Sequence, residues 1–343
     1  MNTYFSTFIS GLSEPAVAAL TQALADVKIR DVYDGLVVYD TAAPPAKIKS
    51  LPFFNNSFSL IFRFKSIGDR PLEHAIKHML NLGNIGEKLR LQDSGHKRTF
   101  RIVTSMENQL VSVDARLLQG MENEIKHKLN LELNKRHGDY EFWVMSRSEG
   151  VTFFALRISR QSKKDKEREK GELRPQLSYF LCLLSEPEEN EIFMDPCCGT
   201  GSIPFTRIEM GRKGLVIAAD SDADKVAELK AKVKELKIKD KIVVRQIDVR
   251  RIDHYQENSV HKIVTDPPWG LYEKMGDPLE LYRPMMHEFI RVLKPGGLLV
   301  ILISNQPALN DFFSAYNEGA DLISSYPVLV SGKKAVIYKI QKR

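Results

Sequence analysis

The chain is predicted to be an α/β protein. Its second half is a mostly parallel sheet covered by helices, and its first half is built of smaller α+β units. Three observations predict this. From residue 191 onward, apolar runs of strand length alternate regularly with segments of helical spacing. Those runs are near-continuous in apolar residues, as in strands buried on both faces. A charged stretch, "RQSKKDKEREKGELRP" at 160–175, has no large apolar residue between Arg160 and Leu173 and sets the halves apart. Its charges alternate in sign, which reads as a solvated connector.

In the first half, "YFSTFIS" (4–10) reads as a strand, "EPAVAALTQALA" (14–25) as a helix and "GLVVYD" (35–40) as a strand. "SFSLIFRFKS" (57–66) alternates like a half-buried strand, and "PLEHAIKHMLNL" (71–82) returns to helical spacing. A second cycle follows: strand 99–105, helix 117–133, then "YEFWVMSR" and "VTFFALRIS", joined by "SEG" as a hairpin turning at Gly150. In the second half, strands are predicted at 191–195, 215–220, 241–248, 261–266 and 297–304, with helices at 202–210, 223–236 and 280–293 between them. "LKPGG" (293–297) is expected to stop the last of these helices and turn into its strand.

At 343 residues there is room for two or three domains. A content of 43% hydrophobic and 27% charged residues excludes disorder of the whole chain. The net charge of +6 permits a polyanionic partner without demanding one. Three cysteines, two of them adjacent, make no disulfide framework. The opening residues lack a charged-then-apolar leader, and no apolar run approaches the roughly 18 residues a membrane span needs. A reduced, soluble, cytoplasmic protein is expected, with no membrane partner.

Ligands of an open parallel sheet bind beyond the carboxyl ends of its strands. Four predicted strands end in or beside an aspartate: Asp195, Asp220, Asp248 and Asp266. One such aspartate is most simply a cap or turn former; four in succession on one edge favour a ligand site. The first strand runs into "DPCCGTGSIPF" (195–205), where Gly199 and Gly201 let the backbone turn sharply. Ser202 is placed to cap the following helix and aim its N–H groups at a ligand. No Lys follows the glycines, which argues against a phosphate-cradling P-loop. Asp220, about 20 residues on, suits the two hydroxyls of a ribose, and Asp248 suits an adenine amine. These features describe an adenosine-containing ligand and leave NAD and S-adenosylmethionine both open.

Together, "FMDPCCGTGSIPFTRIEMG", "AAD" and "TDPPWG" resemble the motifs of Rossmann-like S-adenosylmethionine-dependent methyltransferases that modify an exocyclic base amine. "LRPQLSYFLC" (173–182) resembles the segment before their first strand. The stretch from "FRIVTS" through "FFALRIS" resembles a THUMP domain, an RNA-binding module that follows a small ferredoxin-like domain. The combination is similar to the THUMP-containing RNA guanine-N2 methyltransferases, whose members act chiefly on tRNA. The resemblance implies a ferredoxin-like domain at 1–85, a THUMP domain at 86–160, a linker at 161–172 and a Rossmann-like domain with a seven-stranded sheet at 173–343. It implies S-adenosylmethionine as cofactor and S-adenosylhomocysteine as product. Cofactor contacts are implied for Asp195, Pro196, Cys197, Gly199, Thr200, Gly201, Ser202, Asp220, Ser221, Asp248, Val249 and Asp266.

Asp266, Pro267, Pro268 and Trp269 are then the catalytic tetrad. Guanine N2 is nearly non-basic, because its lone pair is delocalised into the ring. If Asp266 and the Pro267 carbonyl accept its two N–H groups, the lone pair turns toward the methyl donor. The prolines fix the carbonyls in advance, Trp269 offers a face to a flipped base, and Gly270 lets the chain bend away. The plainer reading of "DPPWG" is a surface turn with a packed Trp. Lys135 and Arg136 in "LNKRHGDY" suit either phosphates or a solvated loop. His74 and His78 share a helical face as a solvated pair, and neither His nor Cys spacing suggests a metal. The rival functions are a ribosomal RNA guanine-N2 or nucleic-acid adenine-N6 methyltransferase, and a non-catalytic RNA-binding subunit.

Overall fold

The computed structural model describes residues 1–82, 98–159, 172–211, 214–269 and 277–343. The chain divides into two compact units, Met1–Thr7 with Val17–Ser162, and Phe8–Ala16 with Lys163–Arg343. The expected linker, apart from Glu172, and the expected boundary at 85/86 lie outside the described residues.

The first unit is organised by one sheet. Its strands are β1 (Asn2–Thr7), β2 (Lys28–Tyr33), β3 (Leu36–Thr41), β4 (Asn56–Lys65), β5 (Thr99–Met106), β6 (Gln109–Leu110), β7 (Glu132–Leu133), β8 (Tyr140–Arg147) and β9 (Val151–Arg157). The order is β2-β3-β1-β4-β9-β8-β5-β6, with β7 also on β5. β2 is absent from the sequence reading because "KIRDVY" alternates exposed and half-buried residues and looks polar. Its link to β3 is an Asp34–Gly35 turn with Gly35 at φ 75°, the dipeptide suited to tight hairpins. The expected turn at Gly150 is there, with φ 76°. The helices of this half are α1 (Ser13–Ala23), α2 (Pro45–Lys49), α3 (Pro71–Leu82) and α4 (Ala115–Leu129). α3 buries Leu72, Ala75, Ile76 and Met79, spaced three and four apart, and α4 adds Met121 and Ile125 to the same cluster as Phe100, Phe142 and Phe154.

The second unit holds β10 (Glu191–Asp195), β11 (Gly214–Asp220), β12 (Ile242–Gln246), β13 (Val260–Thr265), β14 (Leu293–Ser304), β15 (Ala320–Val330) and β16 (Lys333–Lys342). Its helices are α5 (Pro175–Leu184), α6 (Ser202–Glu209), α7 (Ala223–Glu235), α8 (Leu279–Val292) and α9 (Pro307–Ser314). The strand order is β12-β11-β10-β13-β14-β16-β15. Pairs from β12 through β14 are parallel, and β16 lies antiparallel between β14 and β15. The sheet is therefore mixed. β15 and β16 are joined through Ser331 and Gly332, both at positive φ, and so short a link can only make an antiparallel pair.

"LKPGG" stops α8, which ends at Val292, as expected, but the strand expected from 297 begins within it. β14 already starts at Leu293, opposite Val260, and the pairing then jumps to Leu298 opposite Lys262. Residues 294–297 are thus looped out of a strand that continues on either side. The placement of β10 matters most for function. From β10 the chain goes to β11 and β12 on one side and returns to β13 on the other. The loops after β10 and β13 part there, leaving the crevice in which open α/β sheets bind ligands.

Candidate active site

Asp195 closes β10 and is 1% exposed. The glycine turn after it is tacked to the end of β11. Cys198 N–H donates to the Ala219 carbonyl at 2.8 Å, and Gly199 N–H donates to Asp220 Oδ2 at 2.9 Å. Gly201, at φ +89°, would put a Cβ 2.7 Å from Leu229 Cδ1 and from the Phe205 ring, so both its conformation and its space demand glycine. Gly199, at φ +49°, would put a Cβ where nothing lies within 4 Å.

Ser202 does not cap α6 as expected. Gly201 occupies the cap position with a left-handed backbone, and Ser202 is the first helical residue. Its carbonyl accepts the Thr206 hydroxyl at 2.8 Å. Pro204 has no N–H, so the first turn offers the N–H groups of Ser202 and Ile203. Pro196 is buried, Cys197 is half-buried with its N–H on Asp195 Oδ1 at 3.2 Å, and Thr200 is half-buried in the turn.

Asp220 closes β11 and holds two backbone donors, Gly199 N–H on Oδ2 and Asp222 N–H on Oδ1 at 3.0 Å. It therefore fixes the glycine turn as well as presenting a carboxylate. Ser221 is exposed, and its carbonyl accepts the Gln246 side-chain amide at 3.0 Å. Asp248, beyond β12, is turned onto exposed Arg250 at 2.6 Å, and that guanidinium holds its carboxyl below the usual range. Val249 beside it is buried.

Asp266 to Trp269 follow β13 directly. The indole N–H of Trp269 donates to Asp266 Oδ1 at 2.8 Å. Pro267 is buried and Pro268 exposed. Tyr282 of α8, fully buried, donates its hydroxyl to the Pro268 carbonyl at 3.1 Å. Gln306, just beyond β14, donates its amide to the Trp269 carbonyl at 3.3 Å. The Pro267 carbonyl accepts no hydrogen bond from the described residues. Gly270, expected to bend the chain away, lies outside them. Tyr282 and Gln306 were missed by sequence reasoning. Gln306 carried one usable signal, its place just past the carboxyl end of the next strand.

The electrostatics are lopsided. Burial pushes the Asp195 carboxyl up to about 8, with the carboxylates of Asp266 and Asp220 adding to the effect, and burial pushes Asp266 up to about 7. No Lys or Arg pairs with Asp195, Asp220 or Asp266 among the described residues; Arg250 pairs with Asp248 and Arg251 with Asp253. Burial also raises the thiols of Cys197 and Cys198, which keeps them protonated and weakly nucleophilic. Among the described residues no group of three His, Cys, Asp or Glu could hold a metal ion, and no helix is long and apolar enough to cross a membrane. In the first unit, Lys135 is paired with the buried Glu122 at 3.3 Å, and the N–H of Arg136 is held by Asn134 at 3.2 Å.

The sequence profile of the family described as "UPF0020: RMKL-like, methyltransferase domain" matches residues 163–321. The chain is 27% identical over 132 residues to the bovine (Bos taurus) U6 snRNA (guanine-N(2))-methyltransferase THUMPD2, covering 38% of this chain and 26% of that protein. It is 28% identical over 185 residues to the bovine tRNA (guanine(6)-N(2))-methyltransferase THUMP3, covering 50% and 36%. The chain thus spans about a quarter to a third of the length of these relatives. The solved structure of TrmN from Thermus thermophilus superposes with a TM-score of 0.81 over 100% of both chains at 18% identity, a shared α/β fold.

Proposed function

We propose, on the premise that residues 163–321 belong to the RMKL-like UPF0020 methyltransferase domain family, that the chain methylates the exocyclic N2 amine of a guanine in RNA, with tRNA as its substrate. In this reading residues 173–343 are a Rossmann-like catalytic domain, and residues 1–85 and 86–160 are ferredoxin-like and THUMP regions that present the RNA. Both relatives carry guanine-N2 in their names but differ in the RNA. The resemblance of the whole chain to enzymes that act chiefly on tRNA favours tRNA.

The observation that carries the reading is the uncompensated trio Asp195, Asp220 and Asp266 around a glycine turn at the switch point of the sheet. S-adenosylmethionine brings a sulfonium and an ammonium, positive charges that would draw these buried carboxyls back to the carboxylate form and pair with them. The pyrophosphate of a dinucleotide would find no Lys or Arg partner at these three aspartates among the described residues, and Pro204 removes one of the helix donors that hold phosphates. Asp195 and Asp220, the turn residues Gly199 to Ser202, and Ser221 would hold the cofactor. Bound there, it supplies a methyl group already activated for transfer.

The chain's own residues position the acceptor. Oδ1 of Asp266 is engaged by Trp269, leaving Oδ2 for one amine N–H; the Pro267 carbonyl, which accepts nothing from the described residues, takes the other. Tyr282 and Gln306 hold the next two carbonyls, so the clamp is rigid before the base arrives. Asp266 then receives or relays the proton that the amine loses. Incubation of purified protein with labelled S-adenosylmethionine and total RNA is expected to put N2-methylguanosine into tRNA, read by mass spectrometry of nucleosides. Label confined to ribosomal or other RNA would overturn the substrate. Asp266→Ala is expected to abolish turnover while S-adenosylhomocysteine, which lacks the sulfonium, still binds within a few fold by calorimetry, and turnover at the wild-type rate would remove Asp266 from catalysis.

A further inference from the structure

We infer that the outer edge of the C-terminal unit, between α7 and β12, docks the phosphate backbone of the RNA substrate; this rests on the proposed function above. A groove of about 510 Å³ lies there, with Lys230, Lys234, Lys239 and Arg245 on its walls and Ile242 and Val244 in its floor. Among the described residues no acidic one lines it. All four cations are exposed, and none forms an ion pair among the described residues.

The charge is unevenly placed along the chain. Residues 225–251 contain ten Lys and Arg against four Asp and Glu, an excess of six, and the whole chain has a net charge of +6. The other residues are therefore neutral in sum, and this one segment carries the protein's entire formal excess. Part of it is already committed: Arg250 and Arg251 pair with Asp248 and Asp253, and Lys232 lies over the Phe205 ring at 4.7 Å. The four groove cations are not.

A charged edge strand is often only a guard against sheet-to-sheet association. That reading explains Arg245 on β12 but not Lys230 and Lys234 on α7 or Lys239 in the loop, which converge on the same groove. The contrast within the molecule is direct. A larger groove of about 750 Å³ in the N-terminal unit mixes Arg70, Lys77 and Arg116 with Asp69, Glu73 and Asp114, and has no comparable pull on a polyanion. β12 is only five residues long, so its groove lies within about 20 Å of the strand end that carries Asp248. The crevice beside β10 lies two strands further across the sheet, about 10 Å, so the path is at most about 30 Å, or about nine phosphates of one strand, a short reach for an RNA whose base is in the crevice.

The test uses the full-length chain with Lys230, Lys234, Lys239 and Arg245 all changed to Gln, titrated with unfractionated tRNA over a range of KCl concentrations. Each phosphate contact contributes about 0.7 to 0.9 to the slope of log affinity against log salt, on single strands and duplexes respectively, so loss of four is expected to shrink the slope by about 3 to 3.5. The KM for RNA should rise about tenfold or more while kcat and the affinity for S-adenosylhomocysteine stay within about twofold. Replacing the three lysines by Arg should retain the wild-type slope. If the Gln variant loses S-adenosylhomocysteine binding and so has not folded, the pairs Lys230→Gln/Lys234→Gln and Lys239→Gln/Arg245→Gln are each expected to lower the slope by about half as much. An unchanged slope in an enzyme that methylates RNA overturns the groove and leaves the proposed function standing. A wild-type chain that neither binds nor methylates RNA overturns both. Loss of binding to phosphatidylserine vesicles, with RNA binding intact, would reassign the groove to a membrane surface and overturn the inference.

Discussion

Oδ1 of Asp266 accepts the indole N–H of Trp269 at 2.8 Å, so a proton taken up by this carboxyl settles on Oδ2, the oxygen assigned to the guanine amine. Protonation therefore turns an acceptor into a donor facing another donor. Burial raises this carboxyl to about 7, above the ordinary carboxylate range, so the inactive acid form persists up to neutrality. kcat/KM is expected to rise about tenfold per pH unit below about pH 7 and to level off above it. A rate profile flat from pH 5.5 to 8.5 would count against the assignment. The Tyr282 hydroxyl acts one step back, on the Pro268 carbonyl. Tyr282→Phe removes about 0.5–1.5 kcal/mol of stability and is expected to lower kcat about tenfold with cofactor affinity unchanged, because about 1.4 kcal/mol of lost positioning is a factor of ten. Unchanged kcat would make Tyr282 a core residue only. The aspartates and the tetrad were legible in the sequence because their residue types recur at strand ends in order. Tyr282 and Gln306 were not, since what selects them is the direction of a side chain toward a carbonyl 14 and 37 residues away in sequence. The pairing of Asp248 with Arg250, two residues on, also went unread.

Between β10 and α6 the two glycines do different things, and substitutions should separate them. Gly201→Ala places a Cβ against Leu229 and Phe205 and keeps a left-handed backbone, so it is expected to lower stability by about 1–3 kcal/mol, seen as a fall in Tm. Gly199→Ala meets nothing within 4 Å and carries only backbone strain of about 1–2 kcal/mol. Its methyl enters the open side of the turn, so its larger effect is expected on S-adenosylhomocysteine affinity, measured by calorimetry. Equal affinity in Gly199→Ala and the wild type would mean that the cofactor does not pass this turn. Elements of this kind were read well wherever burial on both faces writes a continuous apolar run, as in β10, β11, β13 and β14. They were read poorly where pairing, not composition, makes the strand. β2 is polar on alternate residues, and the loop-out of 294–297 keeps a strand going through a sequence that reads as a stop. Ser202 was misjudged for a local reason: a glycine with positive φ can stand at the cap and displace the serine into the first turn.

Across the whole first unit, the resemblance splits residues 1–85 from 86–160, whereas the hydrogen bonding runs straight through. β4 pairs with β9 from Phe58 opposite Arg157 to Lys65 opposite Val151, and both halves contribute strands to the same sheet. One face of that sheet is a single cluster in which Phe5, Leu36, Val38 and Phe58 from the first half pack with Met145, Val151, Phe153 and Ala155 from the second. Phe153 stacks on Phe5 with ring centroids 4.9 Å apart. Such a face can belong to two domains by descent and still unfold as one body, because each half buries its apolar side chains on the other. Phe153→Ala removes a fully buried ring and is expected to cost about 3–5 kcal/mol. Amide hydrogen exchange should then speed up together in β1 and β3 and in β8 and β9. Protection lost in β8 and β9 but retained in β1 and β3 would mean that the two halves stand independently and that the shared ladder contributes little to either.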